Sequence, residues 1–391
     1  MSALQMRQLA GLFLLCAVSG TSLAQDQGGE GTEAAKRVPL KTDLLDGAYL
    51  PGLSDYVVLV RGRSSIYLAG PPLVKAAIGE DTTDDELGGA MTHAEVTGLG
   101  EYLAENDAHA IALARELLDK LPWDAVSPPA PVTEPLFPAE ELMGIVPADE
   151  REPYDVREVI ARLVDGSDFL EFKANYATDT ICGHARLHGH AIGIVGNNGP
   201  IQPQGSTKAA QFIQLCDQSG TPLLFLQNTT GYMVGKAAEH AGAIKHGSKM
   251  IQAVANARVP KFTVVLGGSF GAGNYGMCGR GFDPRFIFSW PTARTAVMGG
   301  AQAAKVMDII NRNKLEKMGL PANDEALAAM SDALRKRLDA ESAVLFGTAR
   351  LWDDGIIDPR DTRRLLGLCL ALATEADART LRPNTFGIAR L

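Results

Sequence analysis

Cysteine is scarce in this chain of 391 residues, and its spacing is irregular. The five cysteines are Cys16, Cys182, Cys216, Cys278 and Cys369. An odd, scattered set without a CxxC pair excludes a disulfide framework and a zinc ribbon, and it is typical of a reducing compartment. A surplus of positive charge is also missing. The formal net charge of -9 argues against a general nucleic-acid binder.

No apolar run is long enough to cross a bilayer. The run at residues 9–18 follows Arg7 and precedes the small-residue site at 22–24, which is typical of a secretory signal peptide. A misassigned start or a joined fragment is the alternative interpretation. Residues 25–41 are polar and glycine-rich without periodicity, so we predict a linker or disorder there.

Strands and helices alternate along most of the remaining chain, which predicts an α/β fold with a layered sheet. In residues 43–121, called the first block below, strands are predicted at residues 55–60 and 65–69, and helices at 73–78 and 106–121. The proline-rich stretch 122–153 predicts an interdomain linker that is neither a helix nor a central strand.

In residues 151–391, called the second block below, the sequence predicts a hairpin, two further strands and three helices. The predicted strands are 181–186, 191–196, 223–226 and 262–266, and the predicted helices are 156–164, 208–218 and 244–256. The resulting boundaries are residues 1–42 for a leader and polar linker, 43–121 for the first block, 122–150 for the proline-rich linker and 151–391 for the second block.

The two blocks contain a loosely repeated pattern. Each has a glycine loop with a tyrosine (Tyr49 or Tyr275), two predicted strands, a glycine turn and a helix with a lysine (Lys75 or Lys305). This repetition indicates two related halves of one architecture.

A dense glycine run at residues 267–276 is the strongest chemical motif. Glycine lets the backbone approach a ligand with its N–H groups exposed, and two such groups can form an oxyanion hole. A tight turn is the structural alternative. The run also contains GxGxxG (Gly271, Gly273, Gly276), but the dinucleotide fingerprint needs an acid about 20 residues later. Residues 284–307 contain no Asp or Glu, which argues against a nicotinamide oxidoreductase.

Two further segments are candidates for chemistry. Cys182, His184, His188 and His190 cluster in the predicted hairpin, but no carboxylate or CxxC pair supports a metal site, and polar hairpin positions explain them. Residues 228–236 follow a buried strand, at the end where α/β proteins bind ligands, although an ordinary strand-to-helix loop is the alternative. No GxSxG occurs, so no nucleophile elbow is present.

Several long strings, in order, resemble the β subunits of acyl-CoA carboxylases, and most of all the methylcrotonyl-CoA and geranyl-CoA branch. These strings are residues 68–76, 87–90, 230–236, 245–250, 268–281, 284–291, 296–300 and 352–359. The resemblance implies a crotonase-like fold of two ββα-spiral halves, each with an oxyanion hole. The N-terminal half would bind acyl-CoA, the C-terminal half would receive carboxybiotin, and halves of different subunits would build the site.

The family reaction moves a carboxyl group from biotin N1 to a carbon that the thioester activates. In the usual account no side chain acts as base: carboxybiotin releases CO2, the biotin enolate takes the substrate proton, and backbone N–H groups stabilise both enolates. No Ala-Met-Lys-Met sequence for biotin attachment occurs here. The resemblance therefore implies a partner α subunit with biotin carboxylase and carrier functions, a homo-oligomer of β subunits, and no metal, nucleic acid or membrane.

The resemblance assigns roles by position. Gly271 and Ala272 match the hole that faces biotin, while Gly47 and Ala48 match the end of the hole for the acyl thioester. The expected carboxybiotin contacts are Gly231, Tyr232, Met233, Val234, Gly235, Gly273 and Tyr275.

Upstream of residue 47 the sequence departs from the family, with Asp46 where a second glycine is expected. We therefore expect an incomplete first half, and an inactive fragment or assembly partner is the alternative to an active enzyme. We expect a cytoplasmic protein despite the leader, because CoA thioesters, ATP-driven biotin carboxylation and unpaired cysteines belong there.

Overall fold

The computed structural model describes residues 14–17, 49–121, 130–149 and 152–379. Ten strands form two sheets in this part of the chain. They are β1 (Leu14–Ala17), β2 (Tyr56–Val60), β3 (Tyr102–Ala104), β4 (Phe169–Phe172), β5 (Thr180–Leu187), β6 (His190–Asn197), β7 (Leu223–Thr229), β8 (Lys261–Phe270), β9 (Phe286–Ser289) and β10 (Arg294–Ala296).

Helices connect and cover these strands. They are α1 (Tyr49–Gly52), α2 (Pro71–Ile78), α3 (Asp84–Gly88), α4 (Ala90–Thr92), α5 (Asp107–Lys120), α6 (Leu142–Ile145), α7 (Val156–Ala161), α8 (Pro203–Ser219), α9 (Lys236–His240), α10 (Ala243–Asn256), α11 (Gly271–Gly276), α12 (Gly300–Lys317), α13 (Asp324–Ser342), α14 (Val344–Thr348) and α15 (Thr362–Ala378). None of these described helices is both long and apolar enough to span a bilayer.

The larger sheet has seven strands: six follow the order β10-β8-β7-β6-β5-β4, and β9 also pairs with β8. β4, β5 and β6 pair antiparallel, whereas β6, β7 and β8 pair in parallel through the crossover helices α8 and α10. β9 pairs with the first part of β8, and β10 with its last three residues. The smaller sheet, β1-β2-β3, is parallel. The predicted α/β class and the predicted hairpin are therefore confirmed.

Each face of the larger sheet buries an apolar core. On one face, Phe212 of α8 and Met250 of α10 pack with Tyr56 of the smaller sheet. On the other face, Val159 of α7 and Leu366 of α15 pack against β5 to β8. Each fully buried aliphatic or aromatic side chain contributes about 1.5–3 kcal/mol, so both faces hold the sheet in place.

A buried ion pair fixes the last helix. The Arg363 guanidinium lies 2.7 Å from the Asp165 carboxylate, and it also donates to the carbonyl of Leu163 at 2.8 Å. Asp165 accepts further hydrogen bonds from the backbone of His188 and Gly189 in the β5–β6 turn. One carboxylate thus joins α15 to the hairpin.

Two local predictions were wrong. Residues 65–69 form no strand and make only an isolated bridge, Ser65 with Gly89. Pro71 and Pro72 then start the helix α2, so the first half of the repeated pattern has one strand before its helix where two were predicted. Within the predicted linker, the proline-free residues between Pro138 and Pro147 form a helical turn, including α6.

Candidate functional site

The strand β8 is longer than predicted and carries a bulge. Val265 pairs with Gln227 and Ser269 pairs with Thr229, so residues 266–268 of β8 lie opposite the single residue Asn228 of β7. All ten residues of β8 are buried, and the first glycines of the run belong to this strand rather than to a turn. A bulge bends a strand and changes the direction of the residues that follow.

The helix α11 begins directly after the strand, at Gly271. Gly271 has φ +53°, a left-handed value that favours glycine, and a Cβ at this position would lie 2.9 Å from the Val297 carbonyl oxygen. The first N–H groups of a helix have no acceptor within the helix. The expected helix start at Gly271 and Ala272 is therefore present, and its role as an oxyanion hole stays a prediction.

The loop after β7 lies directly against this helix start. Its Gly231 carbonyl accepts a hydrogen bond from the Ile201 N–H, and the Met233 N–H donates to the Ile201 carbonyl, both at 2.9 Å. A Cβ on Gly273 would lie 2.8 Å from the Gly231 Cα. The two glycine segments that the sequence singled out are thus in contact, and only glycine at position 273 permits that contact.

Tyr232 lies beneath α11. A Cβ on Gly276 would come within 2.3 Å of the Tyr232 hydroxyl, and one on Gly247 within 3.1 Å of its ring. Burial raises the pKa of Tyr232 above its ordinary value, so the phenol stays protonated at neutral pH. Tyr232 thus packs between α10 and α11, and its role as a carboxybiotin contact stays a prediction.

The other expected contacts are more exposed. Val234 is 80% exposed, and Gly235, the residue that precedes α9, has φ +116°. Tyr275 is 50% exposed and its ring packs against Phe282, with 5.6 Å between ring centroids. Gly47 and Ala48, the expected acyl-thioester residues, lie outside the described residues.

A cavity of about 550 Å³ opens beside the helix start, lined in part by Thr230 and Phe270. Its other lining residues are Ala148, Asp149, Arg294, Gly299, Gly300, Ala301, Gln302, Arg335, Asp339 and Ser342. The N-terminus of α12 and two arginines make this wall attractive to an anion. Asp339, 3.8 Å from Arg335, and Asp149 balance the formal charges of the two arginines, so the attraction rests mainly on the N-terminus of α12.

The charged lining of this cavity was not predicted from the sequence. Arg294 follows closely after a string that carried the family resemblance, and this position could have indicated it. Arg335 and Asp339 lie on α13, where charges at helical spacing look like an ordinary solvated face. Only the tertiary packing of α13 against β10 and α12 places them at the cavity.

Two histidines of the hairpin, His184 and His188, pack against other parts of the fold. The Nε2 of His184 lies 3.0 Å from the Tyr56 hydroxyl, and burial, with Lys120 nearby, lowers the pKa of His184 to about 3. His188 packs against Gly367 of α15. Within the described ranges, no group of three His, Cys, Asp or Glu side chains could hold a metal ion.

The dinucleotide interpretation lacks its second element. The next strand after the glycine run, β9, has the sequence Phe-Ile-Phe-Ser and ends without an acid that could bind a ribose. The helix α11 also has only six residues. The glycine spacing reflects close packing against Gly231 and Tyr232 instead.

Residues 46–387 match the carboxyl transferase domain family. The chain is 52% identical over 347 residues to a probable biotin-dependent acyl-coenzyme A carboxylase beta2 subunit of Mycobacterium tuberculosis, covering 88% of this chain and 65% of that protein. It is 47% identical to the mitochondrial methylcrotonoyl-CoA carboxylase beta chain of Dictyostelium discoideum, covering 86% of this chain and 59% of that protein.

Solved structures give the same result. The geranyl-CoA carboxylase beta subunit of P. aeruginosa is 60% identical, with a TM-score of 0.63 over 88% of this chain and 65% of that one. A transcarboxylase 12S structure is 36% identical, with a TM-score of 0.74 over 87% of this chain and 65% of that one. The chain thus spans less than two thirds of the length of these relatives.

Proposed function

Because this chain belongs to the carboxyl transferase domain family, we propose that it is the carboxyltransferase subunit of a biotin-dependent acyl-CoA carboxylase. Its substrates would be carboxybiotin and a branched, unsaturated acyl-CoA of the 3-methylcrotonyl-CoA or geranyl-CoA type. The identities of 60% to a geranyl-CoA carboxylase beta subunit and 47% to a methylcrotonoyl-CoA carboxylase beta chain support that substrate class.

One observation carries this proposal: the N-terminus of α11 and the cavity beside it form a site rich in hydrogen-bond donors. Gly271 and Ala272 present backbone N–H groups at the end of a fully buried strand. Arg294 and the N-terminus of α12 line the adjoining cavity. Such a wall suits a reaction in which negative charge develops on an oxygen.

We propose that these hydrogen-bond donors would hold a carboxylated urea ring, whose oxygen gains negative charge during transfer. When bound, carboxybiotin would supply the carboxyl group and then a basic ureido group for the substrate proton. In our proposal the N–H groups of Gly271 and Ala272 donate to the ureido oxygen as it gains charge, and the Gly231–Gly235 loop with Gly273 and Tyr275 positions the ring. Gly47 and Ala48 would donate to the acyl thioester oxygen.

We also propose the partners and the compartment. A separate α subunit would carry the biotin, and further copies of this chain would form a homo-oligomer. Apolar side chains exposed on α12 and α13, among them Val306, Ile309, Ile310 and Met330, support a subunit contact. The thiols of Cys182, Cys216, Cys278 and Cys369 are free and buried, which supports the cytoplasm.

Reconstitution tests the proposal. The full chain is mixed with a biotin carboxylase and carrier subunit of the geranyl-CoA or methylcrotonyl-CoA type, ATP and labelled bicarbonate. We expect acid-stable label with geranyl-CoA or 3-methylcrotonyl-CoA and much less with propionyl-CoA. Complex formation without any labelled product would favour the inactive assembly partner, and preference for propionyl-CoA would contradict the substrate class.

A further inference from the structure

We propose that Asn228 is a positioning residue that holds the bulge of β8 and so directs the N–H groups of Gly271 and Ala272. This inference deepens the proposed function and rests on it. Asn228 lies within β7, one residue before the end of the strand, and its side chain points to the neighbouring strand β8.

The side chain of Asn228 contacts the bulge of β8 directly. The Oδ1 of Asn228 accepts a hydrogen bond from the Gly268 N–H at 2.7 Å. Gly268 lies in the bulge, where residues 266–268 face one residue of β7 and ladder bonding is interrupted. Buried N–H groups need an acceptor. The side-chain amide therefore replaces the missing backbone acceptor of β7.

The Asn228 side chain also fills the space beside Gly267. A Cβ on Gly267 would lie 2.7 Å from the same Oδ1 atom, closer than carbon and oxygen approach without displacement. Asn228 and Gly267 are thus matched: the amide occupies the space that a side chain at 267 would need. A bulge without this amide would have neither its acceptor nor its filling group.

Ser269 connects the bulge of β8 to the start of α11. Ser269 regains pairing with Thr229 of β7, and on its other side it pairs with Thr295 of β10, which is in register from Gly268 onward. Its Oγ then accepts a hydrogen bond from the Asn274 Nδ2 at 2.7 Å, which fixes the first turn of α11. Because strand side chains alternate, a slip of one residue at Gly268 would turn Ser269 away and rotate Gly271 and Ala272 with it.

The test compares three variants of the full chain. Asn228→Ala removes the acceptor, Asn228→Asp keeps it, and Asn106→Ala removes an analogous contact remote from the site, where the Asn106 Oδ1 accepts from the His109 N–H at 3.0 Å. Hydrogen exchange of residues 262–276 reports the bulge without any need for activity. Carboxyl transfer in the reconstituted complex reports the site.

We expect Asn228→Ala to speed amide exchange at residues 267–272 by about tenfold, the scale of one lost hydrogen bond. We expect its kcat to fall by about tenfold or more while KM for acyl-CoA stays unchanged, because only the alignment of donors is lost. Asn228→Asp should stay within about threefold of wild type in both readouts. Asn106→Ala should leave exchange at 262–276 and kcat unchanged.

Two results would overturn the inference: unchanged exchange at 267–272 in Asn228→Ala, or faster exchange with wild-type kcat. A wild-type complex that transfers no carboxyl group would instead overturn the proposed function. The exchange data would still decide whether Asn228 holds the bulge, so the two failures are distinguishable.

Discussion

The Nζ of Lys173 lies 3.2 Å from the Oε1 of Glu101, and both side chains are buried. Glu101 belongs to the first block and Lys173 to the second, so this ion pair joins the two. Glu101 also accepts from the Val57 N–H at 2.7 Å and from the Gln211 Nε2 at 3.1 Å. Burial raises the pKa of Glu101 and lowers that of Lys173, while the charge of each partner opposes the shift.

Lys173→Met should therefore cost about 3–5 kcal/mol in the free energy of unfolding, because it leaves a buried carboxylate without its cation. The double variant Lys173→Met with Glu101→Gln should cost less than the sum of the single changes. Urea unfolding of Lys173→Met, Glu101→Gln and the double variant measures these costs. Arg337→Met, which breaks an exposed pair with Glu341, is the control and should cost less than about 0.5 kcal/mol. If the costs of the two single changes added up to the cost of the double variant, Lys173 and Glu101 would not be coupled.

Ala272→Pro tests the proposed oxyanion hole. Proline at the second position of α11 is compatible with a helix but removes one N–H donor. Carboxyl transfer in the reconstituted complex should fall by about two to three orders of magnitude. Glu325→Pro removes the N–H at the same position of α13, on an exposed surface, and should leave transfer unchanged. Wild-type turnover in Ala272→Pro would refute this assignment.

Gly273→Ala should separate the loop from the helix start. Its Cβ would lie 2.8 Å from the Gly231 backbone, which cannot yield as a flexible side chain would. We expect a loss of about 1–3 kcal/mol in thermal or urea unfolding, the usual cost of overpacking, together with lower activity. Gly281→Ala is the matched control, because nothing lies within 4 Å of its added carbon. Equal stability of both variants would show that the contact can relax.

Acid sensitivity follows from His184. Its pKa is lowered to about 3 in the folded protein, from an ordinary value of 6.5, mainly by burial. Between these values the unfolded chain binds a proton that the native ring excludes. The contribution of His184 to the free energy of unfolding is therefore complete above pH 6.5. It falls by about 1.4 kcal/mol per pH unit as the pH drops from 6.5 toward about 3.

His184→Gln keeps a partner for the Tyr56 hydroxyl and removes the titrating ring. Denaturant unfolding between pH 7 and 4 should show a shallower loss of stability in this variant than in wild type. His240→Gln alters an exposed ring and should retain the wild-type slope. A slope unchanged by His184→Gln would assign the acid sensitivity to other groups.

Much of the fold could be predicted because its signals are local. The β5–β6 hairpin follows from alternating residues around a glycine turn, and α5 from its Asn106 cap and apolar spacing. The end of β8 was predicted four residues early, since Gly267 and Gly268 disfavour a strand locally. The Asn228 amide and the pairing with β10 override that preference, and neither is visible in a short window of sequence.

The candidate site was predicted in part for the same reason. Gly271 and Gly273 stand in a dense glycine run, so the helix start and its contact with Gly231 were accessible to sequence reasoning. Arg335 lies more than 60 residues from Phe270 along the chain, and only folding brings both to one cavity. Long-range convergence of this kind leaves no periodic signal.

The position of α15 constrains how the protein can be made. Leu366, Cys369, Leu370 and Ala373 of this helix cover a face shared by β5, β6, β7 and β8, and Arg363 ties it to Asp165. Every strand it covers is synthesised before it. During translation the part of the face that α15 covers stays open until α15 leaves the ribosome, so a nascent chain exposes apolar strand residues to aggregation and to chaperone capture until then.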